Sequence, residues 1–405
     1  MVKHNDLSIG ENLKRIRLEL DLKQYEITGG EVTRNLISII ENGKTPLSED
    51  NARLICRNIN KIMEDKGLDI IIDPEDIFNP ERYDAKKQAD LYIEELDRLF
   101  TTKNYNIEQE YINEVELFLN KWNLMDKKIR IYEILGDIYY YSKDYIKCYY
   151  YYFKGHEYTF SYPNRKLNYR ITLKLIGICI PIGKYKEAIN LCDYISLDKK
   201  NIPKEHIGIL YYNSSLAYSK LNLIDESLKQ TTKALKHTED TNYIQLGKIL
   251  ILQGNSYLRI ENYGEALKSY NKAINILSLG NYYDELLLSY VNIAEVHMKM
   301  NCEDKTIEYI DKALNNISKL NKNSDYFSRL YSQIAFVYKH LNKFDLAEKY
   351  YNESLMYAKE CNQQERIKKN ILDLFYIYQN NLDANKIHKL FEDFGKFCLT
   401  NTNIS

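Results

Sequence analysis

Arg34 and Asn35, with Ser38 one helical turn further on, bring guanidinium, amide and hydroxyl groups onto one short face. Arginine and asparagine have the donors and acceptors that read base edges in the major groove of DNA. Two flanking residues suit phosphates instead. Gln24 opens the preceding element, where a helix N-terminus favours anions, and Lys44 lies just past the segment. Thr33 has the side chain of a helix N-cap. The chemistry this cluster offers is recognition of an anionic duplex rather than bond making.

Such groups need a frame, and the surrounding sequence predicts one. Ile9, Leu13, Ile16 and Leu20 recur at helical spacing, with Lys14, Arg15 and Arg17 on the outer face. "LKQYEIT" predicts a second, very short helix ending at Gly29 and Gly30. Thr33 caps a third, which turns Leu36, Ile37 and Ile40 inward and stops at Asn42 and Gly43. Ser48 caps a fourth, running through "LSEDNARLICRNINKIM". Short helices joined by a tight turn describe a helix-turn-helix. Across about sixty residues the order "LKQYEI…GG-VTRNLISIIENGK-P" resembles the Xre/Cro-type helix-turn-helix. The resemblance implies that the third helix enters the major groove. Helix two departs from that pattern, being about a residue short and closed by Gly-Gly.

The 405 residues are 44% apolar and 28% charged, as in a folded chain, and six prolines and fifteen glycines favour helix over sheet. The 38 tyrosines are explained most simply by the codon usage of an AT-rich genome. Net charge is −1, and residues 1–70 hold 11 Lys+Arg against 12 Asp+Glu, so no basic field marks the front. A single copy should bind DNA weakly, and a homodimer reading two half-sites of a pseudo-palindromic double-stranded operator is the remedy. Neither a membrane-length apolar run nor a signal-peptide core is present, which predicts a cytoplasmic chain without membrane contact. Seven scattered cysteines, never spaced C-x-x-C, predict buried thiols rather than disulfides or a zinc site.

Pro74 and Pro80 interrupt "GLDIIIDPEDIFNPERYD", placing a helix-turn-helix domain at 1–70, a linker at 71–84 and a second domain at 85–405. Its apolar "DIII" and "IF" should pack on a neighbour and make the joint semi-rigid. Beyond it one pattern recurs. In "LILQGNSYLRIENYGEALKSYNKAINIL", Gly254 is followed by Tyr257, Tyr263, Ala266, Tyr270 and Ala273. This resembles a tetratricopeptide repeat, where small residues let paired helices approach and aromatics fill the gap. Equivalent anchors fall at Leu96, Gly136, Ile176, Ser215, Gly254, Ala294, Ala335 and Phe375, stepping by 39 to 41 residues. The usual unit is about 34. The expected fold is all-α: a helix-turn-helix followed by a right-handed superhelix of about eight helical hairpins, the last a cap.

In such arrays the first helix of each pair lines the inside. Inward positions then fall six, three and two residues before each anchor and one, four and five after it. They select Arg170 and Lys174, then Tyr212 and Asn213, then Lys248, Ile251 and Asn255. Val291, Asn292 and Glu295 follow, then Arg329 and Gln333. Asparagine amides can grip an extended peptide's backbone as a neighbouring strand would, and basic groups can take a carboxylate.

The combination of helix-turn-helix and long repeats resembles the RRNPP regulators, PlcR-like and NprR-like sensors among them. It implies a receptor for a short imported signalling peptide, homodimerising through its repeats, in quorum-sensing control of transcription. A second reading keeps the fold and has the repeats sequester a partner protein such as a phosphorelay response regulator. A constitutive scaffold is a third. No H-E-x-x-H, G-x-S-x-G or phosphate-cradling glycine loop occurs. The chain is expected to be neither an enzyme nor the holder of a metal or cofactor.

Overall fold

Capping chemistry starts the front helices where the sequence places them. Ser8 and Glu11 form a reciprocal capping box at the head of α1 (Ile9–Glu19). Thr33 Oγ1 accepts the Leu36 N–H at α2 (Arg34–Glu41), and Ser48 Oγ accepts the Asn51 N–H at α3 (Glu49–Asp65). Gly43, at φ +67°, closes α2. The computed structural model describes residues 7–68, 70–162, 165–197, 202–320, 325–361 and 363–402, and no strand occurs among them. The chain divides into two compact units, Met1–Ile178 and Cys179–Ser405.

The second helix is as short as expected, a 3-10 turn over Glu26–Thr28. Gly29 turns left-handed at once (φ +57°), against the Asn58 amide that donates to the Ile27 carbonyl, and Gly30 follows at φ +78°. The stretch expected as a linker, 71–84, is helical and packed, as its apolar runs indicated. It holds α4 (Pro74–Phe78) and the first turn of α5 (Pro80–Thr101), and Ile72, Ile77 and Tyr83 share the core of Leu13, Ile16, Ile37 and Ile55. Asn12 Nδ2 donates to the carbonyls of Asp76 and Ile77, both at 2.8 Å. The fully buried Asp76 carboxylate takes the Arg82 guanidinium and, at 2.5 Å, Lys86 Nζ. The first unit continues through α6 (Gln109–Lys121), α7 (Met125–Tyr141), α8 (Tyr145–Thr159) and α9, which runs Arg165–Cys179.

The second unit is a succession of helix pairs. α10 (Tyr185–Ser196) is followed by α11 (Lys204–Lys220) with α12 (Ile224–His237), and α13 (Tyr243–Arg259) with α14 (Tyr263–Leu279). Next come α15 (Tyr283–Lys299) with α16 (Glu303–Leu314), then α17 (Tyr326–His340) with α18 (Phe344–Glu360). α19 (Gln364–Asn380) and α20 (Ala384–Thr402) finish the stack. From α10 to α16 and from α17 to α20 each helix packs on the next, and α11, α13, α15, α17 and α19 also pack in sequence on one another.

The period is written into the backbone. A left-handed residue lies seven positions after every anchor: Lys103, Lys143, Gly183, Asn222, Glu261, Asn301, Asn342 and Leu382, at φ between 54° and 80°. Each ends the first helix of a pair and reverses the chain. The pairs close as the small anchors require. A Cβ on Gly136 would lie 2.3 Å from the Tyr152 ring, and one on Gly254 would lie 2.5 Å from the Tyr270 ring. Both tyrosines stand sixteen residues after their anchors.

Candidate functional site

On α2, Arg34 and Asn35 are exposed and their side chains make no hydrogen bond or ion pair with described residues, while Ser38 is half-buried and Lys44 exposed. Thr33 serves as the cap. Gln24 lies elsewhere in the chemistry than the sequence indicated. Its Nε2 donates to Glu41 Oε2 at 2.8 Å. Glu41 is buried and also takes the Arg17 guanidinium in two parallel bonds, at 2.6 and 2.8 Å. A carboxylate buried opposite this position draws the amide inward, so Gln24 braces the head.

The second unit contains a cavity of about 960 Å³ between the first helices of its pairs. Its walls follow the inward rows of the repeat. Tyr212, Asn213, Lys248, Ile251, Asn255, Asn292, Glu295, Arg329 and Gln333 all line it. Three other residues selected from the sequence do not. Val291 is 1% exposed in the core between helix pairs. Arg170 and Lys174 lie in the first unit, where Glu133, 2% exposed, takes Arg170 at 2.5 Å and Lys174 at 2.8 Å. Lys174 also reaches Asp137 at 2.7 Å. Glu133 and Asp137 occupy inward positions of the preceding repeat, so that row is neutralised internally.

Two rows escaped the sequence reading. Nine residues before the anchors, Gln245, Glu285, Tyr326 and Arg366 face the cavity, one turn nearer the helix start than the rule reached. Five residues after them stand Lys220, Arg259 and Lys299. That row was within the rule, and its run of three cations was the available signal.

The wall is polar and partly unsatisfied. Tyr270 Oη donates to Asn255 Oδ1 at 2.7 Å, fixing that amide. Gln333 Nε2 donates to Asn292 Oδ1 at 3.1 Å, leaving Asn292 Nδ2 and Gln333 Oε1 buried without partners. Gln245 Nε2 is orphaned in the same way. Two donors and one acceptor on three cavity-lining amides therefore await hydrogen bonds, which native proteins rarely leave unmade.

Charge is uneven. Lys248 pairs with Glu285 at 3.4 Å, and the Tyr326 hydroxyl donates to the same carboxylate at 2.7 Å. Burial raises the Glu295 carboxyl above its usual range despite Lys299 nearby. Burial lowers Lys220, with Arg259, Arg329 and Arg366 adding to the effect. Burial and Arg329 hold Arg366 down to about 10. Among the described residues there is no group of His, Cys, Asp and Glu able to hold a metal, and no helix long and apolar enough to cross a membrane.

Fold and repeat define an all-α chain carrying tetratricopeptide repeats, and the tetratricopeptide-repeat family model matches residues 243–276 and 328–361. Among solved structures, the chain is similar to the apo form of the quorum sensor NprR from B. thuringiensis. The TM-score is 0.57 at 12% identity, over 96% of this chain and 100% of that one. It is also similar to the apo form of RapI, with a TM-score of 0.57 at 16% identity, over 70% of this chain and 99% of that one. At these identities the likeness is one of fold. Over 105 residues, 26% of its length, the chain is 32% identical to the Hsp70-Hsp90 organising protein of Plasmodium falciparum (isolate 3D7), of which it spans 18%.

Proposed function

We propose that this protein is a non-enzymatic, peptide-responsive regulator of transcription. A short signalling peptide occupies the cavity of the second unit, and the exposed face of α2 contacts a double-stranded DNA operator. The observation that carries the peptide reading is the set of orphaned amides on Gln245, Asn292 and Gln333. Their donors and acceptor complement the alternating carbonyl and N–H groups of an extended backbone. Five facing helices at about 8–10 Å spacing suit a chain of about nine to twelve residues at about 3.3–3.6 Å each. The fold of a quorum sensor, shared over nearly the whole chain, supports the same role.

The DNA reading rests on Arg34 and Asn35 being solvent-facing on a capped helix and committed to nothing else. A near-neutral head favours a homodimer on paired half-sites, in the cytoplasm, where operator and imported peptide meet. Peptide regulates only by binding two states of the protein unequally.

Native mass spectrometry of gently purified protein tests both parts. The expected result is a dimer carrying peptide mass, with Asn255→Ala and Asn292→Ala reducing the carried fraction. A gel shift on the DNA upstream of the protein's own gene should be abolished by Arg34→Ala with Asn35→Ala, and persistence would remove α2 as the reading helix. The likeness to the organising protein favours a second reading, in which the repeats hold a partner protein. Co-purification of one partner, with no operator bound, would select it.

A further inference from the structure

We propose that the cavity is selective for an anionic peptide, whose carboxylate lies among Lys220, Arg259, Arg329 and Arg366; this rests on the peptide reading above. Six lysines and arginines line the cavity against three glutamates, Glu261, Glu285 and Glu295. Among the described residues, Lys248 alone of the six has an ion pair, with Glu285. The four cations of the cluster have none among the described residues. Arg259 donates to the Ser219 carbonyl and Arg366 to the Gln363 amide, both uncharged acceptors.

The four come from α11, α13, α17 and α19, and they lie close enough for each other's fields to act on Lys220. Four like charges on a concave, partly desolvated wall repel one another, and an anion placed between them relieves that repulsion. A folded chain with 57 acidic residues could have supplied a partner here, as it does for Arg170 and Lys174 through Glu133. Glu295 makes no ion pair with the cluster among the described residues, and burial raises its carboxyl above the usual range. The buried, unpartnered Asn292 Nδ2 and Gln245 Nε2 add donors to the same wall. Arginine forks bind carboxylates in two parallel bonds, so a peptide's C-terminus or an Asp or Glu side chain fits the chemistry.

The test incubates full-length protein with three randomised pools of peptides about ten residues long. One pool has a free C-terminus and no Asp or Glu, the second is C-amidated with one Asp or Glu, and the third is C-amidated without either. Retained peptides are read by mass spectrometry. The first or second pool should be retained at least about tenfold better than the third, and whichever leads identifies the carboxylate. Arg329→Gln with Arg366→Gln should erase the preference while the far-ultraviolet dichroism stays helical. Equal retention of all pools, or a preference unchanged in the variant, overturns the proposal. Tripolyphosphate, added alone in a thermal melt, separates the two layers. If no pool is retained but tripolyphosphate raises the wild-type midpoint and not the variant's, the cationic cluster stands and the peptide reading fails. If neither probe acts, both fall.

Discussion

Tyr270 reaches across Gly254 to place its hydroxyl 2.7 Å from Asn255 Oδ1, so one buried ring both fills the gap between α13 and α14 and aims a cavity amide. Tyr270→Phe keeps the filling and removes the aim. The expected loss of stability is about 1 kcal/mol, read by urea denaturation, with weaker peptide retention and unchanged helicity. Retention equal to wild type would separate Asn255 from the site.

The close approach at the anchor has its own test. Gly254→Ala forces a methyl against the Tyr270 ring, and Gly136→Ala does the same at Tyr152. Each should cost about 1–3 kcal/mol. Combining Gly254→Ala with Tyr270→Leu should recover part of the loss, and strict additivity of the two changes would argue that the residues do not oppose each other.

In the head, bracing and recognition separate. Glu41→Ala leaves the Arg17 guanidinium and the Gln24 amide without their partner, and should destabilise by about 3–5 kcal/mol. Arg34→Ala with Asn35→Ala should change stability by no more than about 0.5 kcal/mol while abolishing the gel shift. Equal destabilisation by both variants would contradict this division.

Glu295 predicts a pH dependence. Its carboxyl is raised by burial, so the native state holds the proton more tightly than the unfolded chain does. The associated stability is present below the ordinary carboxylate range and is lost as pH rises through the raised native value. Glu295→Gln should therefore melt above wild type at pH 7 and nearly with it at pH 4. Parallel curves across that range would show that burial does not raise the Glu295 carboxyl.

Leu382 is left-handed at φ 54° and 89% exposed. A side chain there costs about 1–2 kcal/mol, partly offset by glycine's greater freedom when unfolded. Leu382→Gly should raise the thermal midpoint slightly, and Gly183→Ala, at φ +80° in the equivalent turn, should lower it.

The repeat was legible because a small anchor, its aromatic partner and a forty-residue step are local or periodic features of the sequence. Gly254 could be matched with Tyr270 without any knowledge of the tertiary structure. Partners set by distant elements were not legible. Gln24 looks like a phosphate ligand until Glu41, seventeen residues on, is seen buried opposite it. Arg170 and Lys174 look inward and free until Glu133 is seen facing them from the previous pair. The prolines at 74 and 80 read as a break, yet each opens a helix, and Asn12 ties the segment to the head. The row at Gln245, Glu285, Tyr326 and Arg366 was missed because the inward rule stopped one turn short.

The left-handed residues also mark equivalent cut points along the polypeptide. Joining Asn222 directly to Asn262 removes 39 residues and presents α14 to α11 where α12 had been, at a turn with the same backbone geometry. Because stacked repeats draw their stability from nearest neighbours, the array can shorten or lengthen by whole modules. Each such splice would redraw the cavity wall, bringing residues from formerly separate rows side by side and giving the chain a direct route to new ligand preferences.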